Sequence, residues 1–517
     1  MPAIVRKTMG KNLSGDILTD ILNSSNEYYI GIGKCDTYND TDTVVTPIDS
    51  SREEREFRNN LQSIKKVEGA TYVAKRVNWS SGTIYAGWDD SESGKPVNGT
   101  EPTPWYIMND AKEVYVCIDH GKNTDGTPKT SVVEPNYGNV NGGVYTTPFS
   151  TSDGYVWKFL YSITPERIYQ FLSGNHIPVQ EAESSLAGGD AIEDLQFNVR
   201  AGAVGGQITR MVVSAGGSGY VDGTTTVTII GDGTGAEATA SVVAGVVTQI
   251  QMTNYGQNYT YASVEIGGVG TDCVVRPVIT SSYGLGYNPI DDLKSSSILM
   301  NIKPNGTENG SFIVENTFRQ IGVLKNPNDT QGALYTAVSN KVLPSITLQI
   351  TSPFENGRTI VGSVTGAQAI VNDNDGTTVF YNQNESTGFK QFQVGEVVVQ
   401  SGVPTSAEIS SISLKNGIDR FSGDVLYIEN RTKIRRDAEQ QEDIKVVITV
   451  YDKSWQKNLQ IKFLKKPIES LMTPIKGIIE YCSILEKLYR RENLLNRKQS
   501  FRKRLLDLVV TYSKKVR

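Results

Sequence analysis

One segment of the chain contains an internal sequence repeat, and this duplication restricts the folds that the segment can adopt. Gly206–Tyr220 aligns with Gly245–Tyr259, an offset of 39 positions, and after a two-residue gap Val227–Thr234 aligns with Val264–Thr271. Each copy has the pattern of a strand, a glycine-rich turn ending in tyrosine, a second strand, a turn and a third strand. Because one such short unit cannot bury its apolar face alone, we expect the two copies to pack as a small β-sandwich or a paired sheet.

A second segment rich in glycine, threonine and valine, 346–412, has a looser duplication, in which Gly357–Val361 resembles Gly395–Val399. The 517-residue chain contains 49 glycines, and this abundance favours many tight turns and therefore many short strands. These patterns predict a mainly β fold with a minor α+β component. We expect antiparallel sheets or a β-sandwich core, short helices and two small β modules.

The C-terminal part of the chain differs in charge from the rest. From Lys453 to Arg517 there are 17 Lys and Arg against 5 Asp and Glu, whereas the whole chain has a net charge of -5. Apolar residues recur near helical spacing in 478–488 and 505–509, which predicts a basic helical tail. Its charged face could contact nucleic acid or a membrane, but we favour a solvated face on helices that pack against a partner, because the aromatic residues form no stacking platform among the charges. Nucleic-acid binding is unlikely from the acidic remainder of the chain, but the tail leaves it open.

The residue types that carry common chemistry are scarce. His120 and His176 are the only histidines, and the four cysteines form no CxxC pair. The sequence therefore predicts reduced thiols, no zinc site and no histidine-based triad. It contains neither a run of about 18 apolar residues nor an apolar N-terminal signal, so we expect no membrane span and no secretion. We predict no catalytic, cofactor-binding or metal-binding residues.

Three loops have both a chemical and a structural interpretation. Gly231–Gly235 lacks the Gly-Lys-Ser/Thr ending of a phosphate loop, and Asn372–Gly376 places its glycine too early for a calcium loop. The first is predicted to be a hairpin turn, and Asp375–Gly376 of the second is predicted to be another. The pair Asp89–Asp90 has no partner acid that the sequence can identify across a cleft, so we interpret these residues as turn acids.

Three motifs follow one another along the chain: Ser152–Tyr161 with Ile163–Pro165, Phe318–Ile321 with Asn326–Pro327, and Ser422–Arg431. In this order they resemble the peripheral, dimeric wedge subunit of T-even-type contractile phage baseplates. The similarity covers 13–195, 283–340 and 416–451. The two β modules lie where that family has short connections, so they resemble insertions, and the chain after Asp452 extends beyond the usual end of the family.

The resemblance and the composition together divide the chain into six segments. They are a wedge-type β-rich core (1–195), an inserted two-copy repeat module (196–282), a continuation of the core (283–345), a second inserted β module (346–415), the C-terminal core strands (416–452) and a basic helical extension (453–517).

The resemblance implies a non-enzymatic structural subunit of the phage tail baseplate wedge, made in the host bacterial cytoplasm and placed in the virion. Its implied partners are a second copy, as a homodimer, and other wedge proteins, with no small-molecule substrate. A glycan-binding tail fibre or adhesin is the alternative, because repeats rich in tyrosine and glycine can present aromatic surfaces to sugars. A depolymerase is a third class, and it needs an acid pair about 5–10 Å apart in a groove.

The candidates for structural or interface roles are Asp153, Gly154, Tyr155, Trp157, Phe318, Arg319, Tyr427, Glu429, Asn430 and Arg431. Asp153 and Gly154 are predicted to form a turn, followed by a row of aromatic residues on one face of a strand. We favour core packing for this row over a dimer surface. The charged end of Tyr427–Arg431 is expected to form a bidentate pair with another element.

Overall fold

The computed structural model describes residues 7–34, 44–90, 103–140, 145–181, 185, 191–302, 318–336, 341–384, 386–414, 417–419, 421–434 and 445–449. Strands account for 44% of the chain and helices for 13%. These proportions, with several antiparallel sheets, confirm the predicted mainly β fold with short helices. The predicted helical tail, 453–517, lies outside the described residues.

The helices are α1 (Lys7–Leu22), α2 (Ser51–Asn60), α3 (Tyr137–Val140), α4 (Pro165–Phe171), α5 (Ala191–Ala201) and α6 (Pro289–Asp292). The strands of the first half are β1 (Tyr28–Gly33), β2 (Leu61–Lys75), β3 (Tyr106–Met108), β4 (Glu113–Asp119), β5 (Phe149–Ser150), β6 (Val156–Ser162), β7 (His176–Val179), β8 (Ile208–Ser218), β9 (Thr226–Gly231), β10 (Thr234–Val243) and β11 (Val246–Gln257). Those of the second half are β12 (Ala262–Gly267), β13 (Thr271–Ile279), β14 (Ser297–Ile302), β15 (Phe318–Lys325), β16 (Ser345–Leu348), β17 (Thr359–Gly362), β18 (Gln368–Asp375), β19 (Thr378–Asn382), β20 (Val397–Gln400), β21 (Ala407–Ser413), β22 (Asp424–Ile434) and β23 (Val446–Thr449).

A seven-stranded antiparallel sheet forms the largest layer, in the order β22–β15–β1–β2–β14–β23, with β7 also paired to β2. The long strand β2 is central to it, since its first half pairs with β1 and its second half pairs with both β14 and β7. Strands far apart in the sequence thus become neighbours, and the two β modules lie in the connections between them.

A four-stranded sheet, β3–β4–β6–β5, packs against the larger one. Trp157 and Phe159 of β6 contribute to an aromatic core on one side of this sheet, together with Tyr115 of β4. On the other side Leu160 packs in a core that includes Ile177 of the seven-stranded sheet. Strand β4 is therefore buried on both faces, as its unbroken apolar run predicts.

The repeat module comprises β8–β13, and its strands pair between the two copies of the repeat. Strand β8 pairs with β13, β9 with β12, and β10 with β11, all antiparallel. The prediction of a hairpin at Gly231–Gly235 is wrong, because β9 and β10, which flank this turn, belong to different ladders. The glycine turn carries the chain from one ladder to the next.

A pseudo-two-fold axis passes through the β9–β12 ladder. Val227 lies opposite Ile266 and Ile229 lies opposite Val264, and the alignment of the two copies exchanges these pairs. The contacts of the two repeat tyrosines follow the same symmetry. The amide of Tyr220 donates to the carbonyl of Gly245 at 3.0 Å, and that of Tyr259 donates to the carbonyl of Gly206 at 3.0 Å.

The second β module is a closed antiparallel barrel with the strand order β16–β19–β18–β17–β20–β21. Its core is aliphatic and aromatic, and it includes Ile346, Phe354, Val379 and Tyr381. The prediction of a hairpin turn at Asp375–Gly376 is confirmed: β18 and β19 pair directly on either side of it. Gly376 adopts a φ of 64° in the turn, a left-handed conformation that glycine adopts without steric cost.

Candidate functional site

Asp153 anchors the turn that begins the first motif. Its carboxylate accepts hydrogen bonds from the amides of Val132 at 2.8 Å and Val133 at 3.0 Å, and from the hydroxyl of Thr151. Burial alone would raise the pKa of Asp153, but these hydrogen bonds lower it below its ordinary value. Gly154 follows with a φ of 92°, which explains why a glycine stands at this position.

Tyr155 and Trp157 have no exposed surface in the chain. Their rings are stacked, with centroids 5.5 Å apart, and Tyr85 packs edge-on against Trp157 at 5.7 Å. The hydroxyl of Tyr155 donates to the carbonyl of Lys129 at 2.6 Å, so the polar end of the ring is satisfied inside the chain. Both rings therefore act as core residues and leave no surface for a partner, in line with the interpretation that we favoured from the sequence.

The second motif lies in β15, which pairs with the edge strand β22 and with β1 in the seven-stranded sheet. Phe318 is fully buried and Arg319 is 7% exposed. The next residue, Gln320, donates to Asn430 of the third motif at 2.9 Å across the β15–β22 ladder. Motifs that are far apart in the sequence therefore form adjacent strands of one sheet.

The third motif forms a charged network on β22. Glu429 accepts two hydrogen bonds from the Arg431 guanidinium, each 2.9 Å long, and a third from the hydroxyl of Tyr427 at 2.7 Å. Burial would raise the pKa of Glu429, but Arg431 and Tyr427 lower it below its usual value. The bidentate pair thus lies within one strand, and not between two elements as expected. Asn430 donates to the carbonyl of Val45 at 2.9 Å.

The junction between the repeat module and the rest of the chain is held by ion pairs. Arg276 of β13 binds Asp89 and Asp90, and its Nη1 lies 2.8 Å from the Asp90 carboxylate. Arg210 of β8 is 9% exposed and donates to the carbonyls of Gly87 at 3.2 Å and Trp88 at 3.1 Å. The interpretation of Asp89 and Asp90 as turn acids is therefore incomplete, because they fix the module in place.

The sequence contains a signal for this junction. Arg210 and Arg276 are the only Lys or Arg residues in 205–279, and both lie within ion-pair distance of Asp89. Partial burial would lower the pKa of Arg276, but Asp89 and Asp90 outweigh it and raise the pKa. The two arginines of the module therefore join it to the rest of the chain, and Arg210 does so from a buried position.

A second polar group, Asp119, His120 and Lys122, lies near Arg210, and its imidazole is buried. His120 Nδ1 is 3.7 Å from Asp119 Oδ1, and neither atom has a hydrogen-bond partner within the described residues. Burial lowers the pKa of His120 to about 3, with Arg210 and Lys122 acting in the same direction. A general base works best with a pKa near the operating pH, so this imidazole is poorly suited to proton transfer at neutral pH.

Lys158 and Asp292 are buried on either side of Gly286. The Gly286 amide donates to the Asp292 carboxylate at 2.7 Å, and a Cβ at Gly286 would lie 3.3 Å from Lys158 Cε. Burial raises the pKa of Asp292 to about 8, although the Gly286 hydrogen bond opposes this shift. Burial also lowers the pKa of Lys158 to about 8. Burial therefore shifts both groups towards their neutral forms.

A shallow groove of about 320 Å³ lies where the repeat module joins α5. Tyr283 and Tyr287 form one wall as a stacked pair with centroids 4.6 Å apart, and Tyr283 is 61% exposed. The Arg200 guanidinium lies 4.5 Å from the centroid of the Tyr287 ring and donates to its hydroxyl at 3.2 Å. Phe197 and Ser282 also line the groove. An exposed aromatic face beside polar groups can hold a planar or ring-shaped ligand.

Within the described ranges, no group of three or more His, Cys, Asp and Glu side chains is placed to hold a metal ion. Over the same residues, no helix is both long enough and apolar enough to cross a membrane. The thiols of Cys117 and Cys273 are free. In comparisons with known proteins, no family model matches this chain, and a search of curated proteins finds no significant match.

Proposed function

We propose that this chain is a structural subunit of the baseplate wedge of a contractile-tailed phage. In this role it acts by protein–protein assembly in the virion, as a homodimer that also binds other wedge proteins, and it has no catalytic role. It is made in the host bacterial cytoplasm. The three motifs that resemble the wedge family support this proposal, since their side chains join turns, cores and neighbouring strands.

The observation that carries the proposal is that the side chains of the first motif bond and pack within the chain itself. The carboxylate of Asp153 and the hydroxyl of Tyr155 are both bonded to nearby backbone groups, and the Trp157 ring is packed in the core. These groups hold a sheet in a fixed shape, as a scaffold protein requires. Arg210 is unusually buried for a charged residue, and its hydrogen bond to the Trp88 carbonyl likewise holds the module junction in a fixed shape.

Solution mass measured by light scattering after size exclusion tests the proposal. The full chain should elute with twice its mass of 56.6 kDa, because an obligate homodimer buries a large interface and stays associated at micromolar concentration. A variant that ends before Lys453 should give the same oligomeric state if the basic tail is an accessory. A monomer or a trimer for the full chain would contradict the wedge assignment.

The groove beside Tyr283 favours a second candidate function, a glycan-binding tail fibre or adhesin. A sugar ring can stack on the exposed face of Tyr283, while Ser282 and Arg200 lie close enough to meet its hydroxyl groups. The stack with Tyr287 holds the ring in place before binding, which lowers the ordering cost.

Saturation-transfer NMR with methyl glucoside, methyl galactoside and N-acetylglucosamine separates the two functions. The adhesin function predicts a signal that disappears in Tyr283→Ala and persists in Tyr169→Ala, a variant of another exposed tyrosine. No signal with the wild-type chain would favour the wedge assignment.

A further inference from the structure

One end of the repeat module exposes valine side chains. These are Val221, Val243, Val246 and Val269, which we call the valine end, and they are 49%, 43%, 39% and 79% exposed. The segments that carry them meet around Tyr220, whose amide donates to the carbonyl of Gly245. Val243 lies opposite Val246 in the β10–β11 ladder, and Gly270, next to Val269, lies against the Tyr220 ring.

Because the module has internal symmetry, the valine end can be compared with the aligned positions at the other end of the module. At the other end, around Tyr259, the positions that align with the four valines are occupied by Thr260, Thr280, Gln207 and Asp232, in the same order. The repeat backbone therefore accepts a polar residue at each of these positions. The valines are not needed to fold the repeat, and their exposure to water needs another explanation.

The charges of the module indicate what kind of surface fits the valine end. Apart from the two junction arginines, every Asp, Glu, Lys or Arg residue in 205–279 is acidic: Asp222, Asp232, Glu237, Glu265 and Asp272. Asp222 is held at the valine end, where its carboxylate accepts from the Val242 amide at 3.1 Å. Asp272 follows Val269 by three positions and comes directly after Thr271, which pairs with Ser218. Two valine ends facing each other would bring these acids together, which disfavours a second copy as the occupant.

We propose that the valine end is a docking surface for a different protein of the assembled particle, which presents an aliphatic patch flanked by Lys or Arg. This inference rests on the proposed assembly function. The valines match the apolar part of such a patch, and Asp222 and Asp272 match its cations. Four valines cover much less than the roughly 800 Å² per partner of a stable complex. The contact therefore forms inside the particle, where the other interfaces already position both proteins.

Photo-crosslinking in assembled particles tests the docking surface. The full chain, carrying benzoyl-phenylalanine at 221 or 269, is supplied in trans to cells that produce the particles. Both positions should crosslink to one short segment of another particle protein, with aliphatic residues and Lys or Arg close to the site. The same group at 260, which aligns with 221, should give at least about tenfold less of that product.

The outcomes of this experiment are distinct. A product with a second copy of the chain, or no product in particles that contain the chain, overturns the docking proposal and leaves the assembly function in place. Absence of the chain from every particle overturns both.

Charge variants add a test that does not depend on the crosslinker. The combined variant Val221→Thr, Val243→Thr, Val246→Gln and Val269→Asp introduces only residues that the module already holds at aligned positions, so it should fold. In competition with the wild-type chain it should enter particles at least about tenfold less often. Val269→Lys should reduce entry about threefold more than Val269→Asp, since the partner is basic. The opposite order would overturn the charge assignment.

Discussion

Gly31 lies directly opposite Gly322 in the ladder between β1 and β15, and the aromatic ring of Phe57 lies over both. The ring comes from α2, which packs on this face of the seven-stranded sheet. A Cβ at Gly322 would overlap this ring and would lie 2.7 Å from the carbonyl oxygen of Tyr427. Because these two glycines have no side chain, the Phe57 ring of α2 can pack directly against the sheet.

Gly322→Ala should lower the free energy of unfolding by about 1–3 kcal/mol, because the added methyl group overpacks the contact with Phe57. Urea unfolding followed by circular dichroism measures this change. Phe57→Leu in the same chain should recover part of the loss, since the smaller side chain gives way while the Tyr427 carbonyl does not. Strictly additive effects of the two substitutions would contradict the contact.

Arg210→Met should destabilise the chain by about 3 kcal/mol, since it leaves the carbonyls of Gly87 and Trp88 without their buried donor. Arg276→Met is the matched comparison, because this side chain is 38% exposed and its loss should cost at most about 1 kcal/mol. Only the Arg276 effect should shrink in high salt. Equal costs for the two substitutions in thermal or urea unfolding would contradict the burial difference.

Asp292→Asn should change how stability depends on pH. The pKa of Asp292 is raised to about 8 in the folded chain, whereas an unfolded Asp titrates near about 4. Between these values the folded chain holds a proton that the unfolded chain has released, so the unfolding free energy contributed by this group falls as pH rises. The variant lacks this titrating carboxyl group, so this position no longer makes its unfolding free energy depend on pH.

The stability of Asp292→Asn relative to wild type should therefore increase steadily from pH 5 to pH 8. Denaturant unfolding at half-unit intervals measures the slope. A difference that stays constant across this window would show that the carboxyl group is not held protonated by its burial.

Glu396→Gln should weaken the barrel most at neutral pH. The carboxylate accepts hydrogen bonds from the amides of Gln393 at 2.7 Å, Thr365 at 3.0 Å and Val364 at 3.1 Å. Burial would raise the pKa of Glu396, but these hydrogen bonds lower it below its usual value. Its stabilising effect is therefore present at neutral pH and is lost as pH falls through the folded-state pKa.

We expect the substitution to cost about 1–2 kcal/mol at pH 7 and much less at pH 3. Thermal unfolding at both pH values, followed by circular dichroism, provides the measurement. An equal cost at both pH values would mean that the charged form makes no special contribution.

Local patterns in the sequence predict which residues face inward and where strands begin, but they do not predict the partner of each strand. The repeat shows this difference. Alternating apolar residues and glycine-rich turns predict the six strands β8–β13, and the Gly231–Gly235 turn is correctly placed between two of them. Its assignment as a hairpin fails because β9 pairs with β12, a strand from the other copy. Periodicity describes one strand, whereas pairing depends on contacts between distant segments.

The same distinction holds for the candidate residues. The sequence by itself determined the mainly β class, the turn at Asp153–Gly154 and the burial of the aromatic row that follows, because spacing and residue type act over a few neighbouring positions. Only the tertiary structure decided that Asp89 meets Arg276 at the base of the module and that Glu429 pairs within its own strand. Charged groups find partners by distance in space, and a folded chain sets that distance independently of their separation in the sequence.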